Sequence, residues 1–265
     1  MKIVRFVSRA GASYGVLEND VIDVLEGVPF GGLRRAGRKV ALAQAKLLAP
    51  VEPPNVLAIG LNYRPHADES KMKIPERPLL FLKATTAVIG PGEAIELPRE
   101  APGEVDYEAE LCVVLGRRAR NVREEEALEY ALGYTCGNDV SARDCQLRLD
   151  GQWARGKSFD TFCPLGPWIE TQMNPENADV RLVLNGEVMQ ESNTSQMLWS
   201  CGRLISYLSR CMTLPPGTVI MTGTPSGVGF ARKPPVFLSP GDRVRVEVEG
   251  IGVLENPVVA ESQAD

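Results

Sequence analysis

The sequence predicts a mainly β fold of the α+β kind, a mixed sandwich or roll with a few peripheral helices. Three observations carry this. Short apolar and β-branched runs outnumber helical stripes. Turn signals, among them Glu18-Asn19-Asp20 and Asn185-Gly186, sit between runs that can pair as hairpins. Hairpin signals also outnumber strand–helix–strand units, which favours antiparallel sheets.

A chain of 265 residues can form one large domain, or a large one and a small one. We expect a small N-terminal α/β unit over residues 1–52 and the main domain over residues 53–265. The 44% hydrophobic and 24% charged composition is that of a soluble globular chain. A net charge of −5 lacks the basic surplus that nucleic-acid binding shows, so no nucleic-acid partner is expected. No apolar run approaches the roughly 18 residues of a membrane span, and the first residues are charged too soon for a signal peptide. Cys112, Cys136, Cys145, Cys163, Cys201 and Cys211 form no CxxC pair and lie mostly in apolar surroundings. They are expected to be reduced, in a cytoplasmic protein.

In order, residues 3–7 read as a strand, and residues 14–17 and 21–25 as a hairpin. Leu33, Ala36, Val40, Ala43 and Leu47 form one stripe, which predicts a helix over residues 33–48. Val51-Glu52-Pro53-Pro54 is a linker, because each proline disfavours helix before it. Residues 56–60 form a buried strand that runs into a polar, exposed segment where Pro65 can open a short helix. Strands follow at residues 79–83 and 105–116, separated by a Gly90-Pro91-Gly92-Glu93 turn.

Asn121 and Glu124 resemble a capping box for a helix that Gly133 ends. Residues 134–139 are a strand, and a new helix starts at Val140. The Asn185-Gly186 turn makes a hairpin of residues 182–189. A helix over residues 195–210 turns Met197, Leu198, Leu204, Ile205 and Leu208 inward. Residues 219–221 form a strand, the Gly-rich loop 222–229 follows, and Val244, Val246 and Val248 alternate with charged residues as in a half-exposed strand.

The acids come first in the chemistry. Glu108 and Glu110 sit at i and i+2, so on a strand they share one face. Two ionised carboxylates side by side in a half-buried sheet repel and lose hydration. With Asp139 at the end of a second strand, they offer three oxygen ligands and leave part of an octahedral shell open, which suits Mg²⁺, Mn²⁺ or Ca²⁺ rather than zinc. The plainer alternative is an exposed edge strand whose acids pair with Arg or Lys. A single histidine excludes a His-rich zinc site.

His66 and Glu69, at i and i+3, are neighbours on a short helix. A carboxylate beside an imidazole fixes its tautomer and raises its basicity; a surface histidine with a chance acidic neighbour is the alternative. Lys157, in a Gly-flanked turn, can stabilise an oxyanion, or be a solvated lysine. Lys83 ends an apolar strand with the same ambiguity. The Thr222-Gly223-Thr224-Pro225-Ser226-Gly227 loop offers free N–H groups for an anion, or is a structural turn; it lacks the Gly-Lys-Ser/Thr ending of a Walker loop.

Together these stretches resemble the fumarylacetoacetate hydrolase family. The resemblance rests on Gly60-Leu61-Asn62-Tyr63 with His66 and Glu69, on Phe81-Leu82-Lys83, and on Asp106-Tyr107-Glu108-Ala109-Glu110-Leu111. It rests also on Asn138-Asp139-Val140-Ser141-Ala142-Arg143-Asp144 with Gln146, on Lys157-Ser158-Phe159-Asp160, and on the loop 222–229. Six motifs in the family's order, across roughly residues 55 to 258, make it specific. It implies the family's β-rich main domain, a homodimer, and one Mg²⁺ or Mn²⁺ per subunit held by Glu108, Glu110 and Asp139. It implies catalytic roles for His66, Glu69 and Lys157, with residues 62–72 as a lid. Arg64, Lys83, Gln146 and Thr224 are expected to contact a small 2-oxo acid, Gln146 and Thr224 at its oxo-acid end.

The reaction expected first is isomerisation of 2-hydroxyhepta-2,4-diene-1,7-dioate, or the linked decarboxylation, in aromatic catabolism. Hydrolysis of a C–C bond in an acylpyruvate, or oxaloacetate decarboxylation, is the alternative. A non-catalytic β module stabilised by metal is the alternative of another class, and would have no use for His66.

Overall fold

The computed structural model describes residues 1–9 and 11–262; residues 263–265 of the second expected unit lie outside that range. Short apolar runs fold as strands along most of the chain. The first are β1 (Lys2–Ser8), β2 (Gly11–Glu18), β3 (Val21–Leu25), β4 (Arg35–Ala41), β5 (Lys46–Leu47) and β6 (Val56–Gly60). Helix α1 (Arg64–Glu69) leads to β7 (Leu79–Lys83), β8 (Val88–Ile89), β9 (Ile95–Leu97), β10 (Val105–Asp106) and β11 (Ala109–Leu115). There follow β12 (Ala131–Asn138), β13 (Ser141–Ala142), β14 (Cys163–Glu170), β15 (Asp179–Leu184) and β16 (Glu187–Asn193). Helix α2 (Cys201–Cys211), β17 (Val219–Met221), β18 (Arg243–Val248) and β19 (Gly252–Ala260) complete the chain.

The largest sheet runs β4-β3-β2-β1-β14-β12-β11-β17-β6-β7, with β5 against β1 and β8 against β14. A second sheet, β16-β15-β18-β19-β9, packs on β11, β12 and β14, and β10 pairs with β13 as a short ribbon. Pairing is antiparallel except for β6–β17, β8–β14 and β9–β19. Every residue of β11 is buried: β12 and β17 pair with its two edges, and β15 and β18 of the second sheet pack on it. That is why its apolar run is continuous where the solvent-facing strands alternate. Val244, Val246 and Val248 of β18 supply the facing layer.

Several expected elements differ. The helix over residues 33–48 is instead β4, a 3-10 turn at Leu42–Gln44, and β5. The open edge of β3 needs backbone partners, and β4 satisfies it in antiparallel register from Val21↔Ala41 to Leu25↔Arg35. The expected stripe was rich in alanine and carried little apolar area, and Gly37 weakens a helix by about 1 kcal/mol. Val40, Leu42, Ala45 and Leu47 still pack inward, onto Val4, Phe6, Leu17, Ile22 and Val24.

The helix expected from Asn121 is a 3-10 segment, Glu124–Tyr130, whose N-cap is Arg123 without a side-chain cap. Asn121 lies in the left-handed region at φ 53°, and its N–H bonds the Ser209 carbonyl, so it cannot serve as N-cap. At Val140 the chain stays extended as far as β13. The turn that follows, Cys145–Leu149, is wide, closed by Asp150 N–H to the Cys145 carbonyl at 3.1 Å. α2 starts later than expected, where Ser200 Oγ accepts from Arg203 N–H. Leu204, Ile205 and Leu208 are buried; Met197 and Leu198 precede the helix. No helix among the described residues is long and apolar enough to cross a membrane.

Candidate active site

The ladder between β11 and β12 sets the carboxylates. Glu110 lies in β11, and Glu108 just ahead of it, where Asp139 N–H to the Glu108 carbonyl (2.9 Å) prolongs the pairing. The i, i+2 spacing therefore keeps both acids on one face, and Asp139 leaves the end of β12 beside them. One ligand oxygen from each of Glu108, Glu110 and Asp139 falls within 4.8 Å of the others, and all three residues are buried.

Their partners are unequal. Lys157 Nζ donates to Glu108 Oε2 at 2.9 Å and to Asp139 Oδ2 at 2.7 Å. Lys83 Nζ donates to the other Asp139 oxygen and to the Val140 carbonyl. Arg143 Nη2 lies 2.7 Å from Glu108 Oε1. Glu110 accepts only the Gly223 N–H, at 2.8 Å, and has no ion-pair partner among the described residues. Burial alone would raise the Glu108 carboxyl, but Lys157 and Arg143 outweigh it and hold the group below its usual range. Burial, then Asp139 and Glu108, push Glu110 well above that range. Burial would lower Lys157, but Asp139 and Glu108 keep its ammonium more firmly protonated than usual. A buried, all-oxygen cluster with one carboxylate short of a cation fits a hard divalent ion.

Over this cluster lies α1. Pro65 sits in its first turn, and Asn62 anchors the entry: Nδ2 donates to the Trp199 and Thr222 carbonyls, and Oδ1 accepts Trp199 N–H. Asn62, Tyr63, His66 and Ala67 are buried, against the expectation that this polar segment is exposed. His66 Nδ1 is 2.9 Å from Glu69 Oε1. A neutral imidazole that donates there carries its lone pair on Nε2. Both Glu69 oxygens also accept the Gly227 N–H. Gly227 has φ +105°, and a Cβ there would meet the Met189 carbonyl at 2.1 Å, so the turn that offers this N–H requires glycine.

A cavity of about 30 Å³ lies between α1 and the sheet. His66, Ser70, Glu108, Arg143, Gln146, Lys157 and Thr224 give its polar lining; Leu61, Met72, Phe81, Leu147, Trp153 and Phe230 are among its apolar lining. Of the residues expected to touch substrate, Gln146 and Thr224 line it. Arg64 is exposed on the outer side of α1 and does not. Lys83 does not either, because its ammonium is held by Asp139 and Val140.

Three further residues enter that the sequence reading gave no role. Asp106 accepts Arg143 Nε at 2.8 Å and the Gly229 and Phe230 N–H groups. Arg143 Nη1 in turn donates to Gln146 Oε1 at 2.8 Å, so one guanidinium fixes Glu108 and Gln146 together. Gln190 accepts Ala109 N–H and donates to Thr224 Oγ1, which donates to the Ala109 carbonyl. Asp106 and Arg143 stood inside quoted motifs, their only signal; Gln190, in a strand of a hairpin, gave none.

Residues 55–259 match the family model described as fumarylacetoacetate (FAA) hydrolase C-terminal, and residues 1–50 match one described as Rv2993c-like, N-terminal. The mitochondrial oxaloacetate tautomerase fahd2 of Xenopus laevis is 46% identical over 218 residues, 80% of this chain and 68% of that protein. Protein Rv2993c of Mycobacterium tuberculosis is 42% identical over 269 residues, 98% of each chain. The crystal structure of a 5-carboxymethyl-2-hydroxymuconate delta-isomerase from Mycobacterium smegmatis superposes with a TM-score of 0.90 at 46% identity, covering 98% of this chain and 100% of that one. A 2-hydroxyhepta-2,4-diene-1,7-dioate isomerase from Mycobacterium marinum gives 0.89 at 40% identity, covering 99% and 100%.

Proposed function

Because the chain belongs to the fumarylacetoacetate hydrolase family, we propose that it is a metal-dependent enzyme that interconverts the keto and enol forms of a 2-oxo acid. The observation that carries this is the His66–Glu69 pair facing a cavity walled by Glu108, Lys157, Arg143 and Gln146. Oxaloacetate is the first substrate to test, since a relative 46% identical is named for its tautomerisation. Isomerisation of a hydroxydienedioate is the second reading, favoured by the two structures named for such reactions. Both reactions move a proton next to an oxo group, so one set of groups serves either.

Glu108, Glu110 and Asp139 would hold Mg²⁺ or Mn²⁺ through carboxylate oxygens. When bound, such an ion supplies Lewis acidity that lowers the cost of negative charge on a substrate oxygen. The protein's own groups do the rest. Glu69 orients His66 and supports charge on its ring, so that Nε2 takes the proton from the substrate carbon in one direction and gives it back there in the other, while the substrate oxygen gains or loses its proton with solvent. Lys157 offsets negative charge on the polar wall. Gln146, held by Arg143, and Thr224, held by Gln190, orient the oxo-acid head. A cavity of about 30 Å³ has room for little more than water, so the lid must open to admit substrate.

A homodimer belongs to the same reading and is checked by light scattering. The matched families meet between residues 50 and 55, which supports a division near residue 52 although the strands form one sheet. Six free cysteines, five of them buried, support a cytoplasmic setting.

The test is decay of the enol absorbance of oxaloacetate with added Mg²⁺. His66→Ala should lower turnover by about 10² to 10⁴ while Mg²⁺ still raises the melting temperature. Full turnover in His66→Ala, or no turnover of any 2-oxo acid by the wild type, would overturn the reading.

A further inference from the structure

The charged side chains that line the cavity are Glu108, Arg143 and Lys157. Its lining cations, Arg143 and Lys157, are both engaged within the protein: Arg143 with Asp106, Glu108 and Gln146, Lys157 with Glu108 and Asp139. Met72, Leu147 and Trp153 line the same cavity and carry no charge. Trp153 is pinned there, edge-on to Phe81 with ring centroids 5.4 Å apart. It also packs so closely on Gly60 that a Cβ would lie 2.8 Å from its ring. Met72 and Leu147 are 36% and 39% exposed, so apolar area stands open at the rim of the cavity.

The arginines next to this rim in sequence are also taken. Arg148 makes a two-pronged pair with Glu104, at 2.9 Å for each contact. Arg155 does the same with Asp150, at 2.9 and 2.7 Å. Lys71 and Lys73, which flank Met72, are exposed and do not line the cavity.

We infer that Met72, Leu147 and Trp153 form a specificity wall that accepts an uncharged, apolar tail and disfavours a carboxylate at the far end of an extended substrate. This rests on the 2-oxo-acid reading above and narrows it. A tail that covers Met72 and Leu147 removes apolar surface from water, whereas a far carboxylate loses hydration without gaining a paired cation. A four-carbon diacid such as oxaloacetate ends before the wall and is not disfavoured by it. An extended seven-carbon dioate reaches it and is.

The test compares two acids with the same head and length, 2-oxoheptanoate and 2-oxoheptanedioate, with pyruvate as the head alone. Binding to the full chain in Mg²⁺ is measured by calorimetry. We expect 2-oxoheptanoate to bind at least about tenfold more tightly than the diacid. Leu147→Arg, which places a cation on an exposed rim position, should narrow or reverse that ratio. Equal or tighter binding of the diacid by the wild type overturns the proposal, as does pyruvate binding with neither longer acid bound. An unchanged ratio in a folded Leu147→Arg protein counts against it too. If pyruvate also fails to bind, the fault lies in the oxo-acid reading itself, and the wall falls with it.

Discussion

Glu69 and Gly227 are 158 positions apart, yet both carboxylate oxygens of Glu69 accept the Gly227 N–H, at 3.1 and 2.9 Å. The same carboxylate holds His66 Nδ1. One side chain thus fastens α1 to the 222–229 loop and orients the His66 ring. The other end of that loop reaches the carboxylate cluster, where Gly223 N–H donates to Glu110.

Glu69→Ala should therefore loosen the lid and misorient His66 together. We expect faster trypsin cleavage at Lys71 and Lys73 and a turnover about 10 to 100 times lower, the range for loss of a group that orients another. Wild-type cleavage kinetics in this variant would sink the latch.

The Mg²⁺ response should depend on pH through Glu110. Its carboxyl is pushed well above the usual range by burial, Asp139 and Glu108, so protons compete with the cation for it. The sign follows. In the metal-free protein this group's contribution to stability is full below its unfolded pKa and is lost as pH rises through the raised folded value. Cation binding needs the ionised form, so it strengthens over the same rise. The Mg²⁺-induced increase in melting temperature should be larger at pH 8 than at pH 5.5. Glu110→Gln should shrink both the increase and its slope; an unchanged slope would clear Glu110 of this role.

Lys157→Met removes the ammonium between Glu108 and Asp139 and leaves buried carboxylates underpaired. Breaking a buried pair costs about 3–5 kcal/mol, so the metal-free variant should melt several degrees lower. Saturating Mg²⁺ should restore part of that loss, because the cation supplies the missing positive charge. Equal losses with and without Mg²⁺ would separate Lys157 from the cluster.

Ser200→Ala is the control for stability without chemistry. It deletes the N-cap of α2, a change worth about 1 kcal/mol, or roughly 2–4 °C of melting temperature. Turnover at 25 °C should stay unchanged.

Local structure was legible in the chain. The hairpin at Asn19 and Asp20 has both residues at positive φ (46° and 60°), as its turn demands, and Asn185 and Gly186 behave alike. Pro65 opens α1, and the spacing of His66 and Glu69 becomes a contact of 2.9 Å. Structure that a distant partner decides was less so. Residues 33–48 have a helical stripe, but the unpaired edge of β3 draws them into β4 and β5. Arg64 lay next to the right residues and faces solvent.

By itself, then, the sequence determined the candidate ligands and their order: Glu108 and Glu110 two apart, Asp139 at the end of a second strand, and His66 with Glu69 one helical turn apart. Periodicity and turn chemistry act over a few residues, so they can be read from the chain. The tertiary structure decided which charges were answered. Lys157, Lys83 and Arg143 converge on Glu108 and Asp139, and Glu110 is left with one N–H. That choice depends on which strands pair and which side chains lose water together, and neither is written in local spacing.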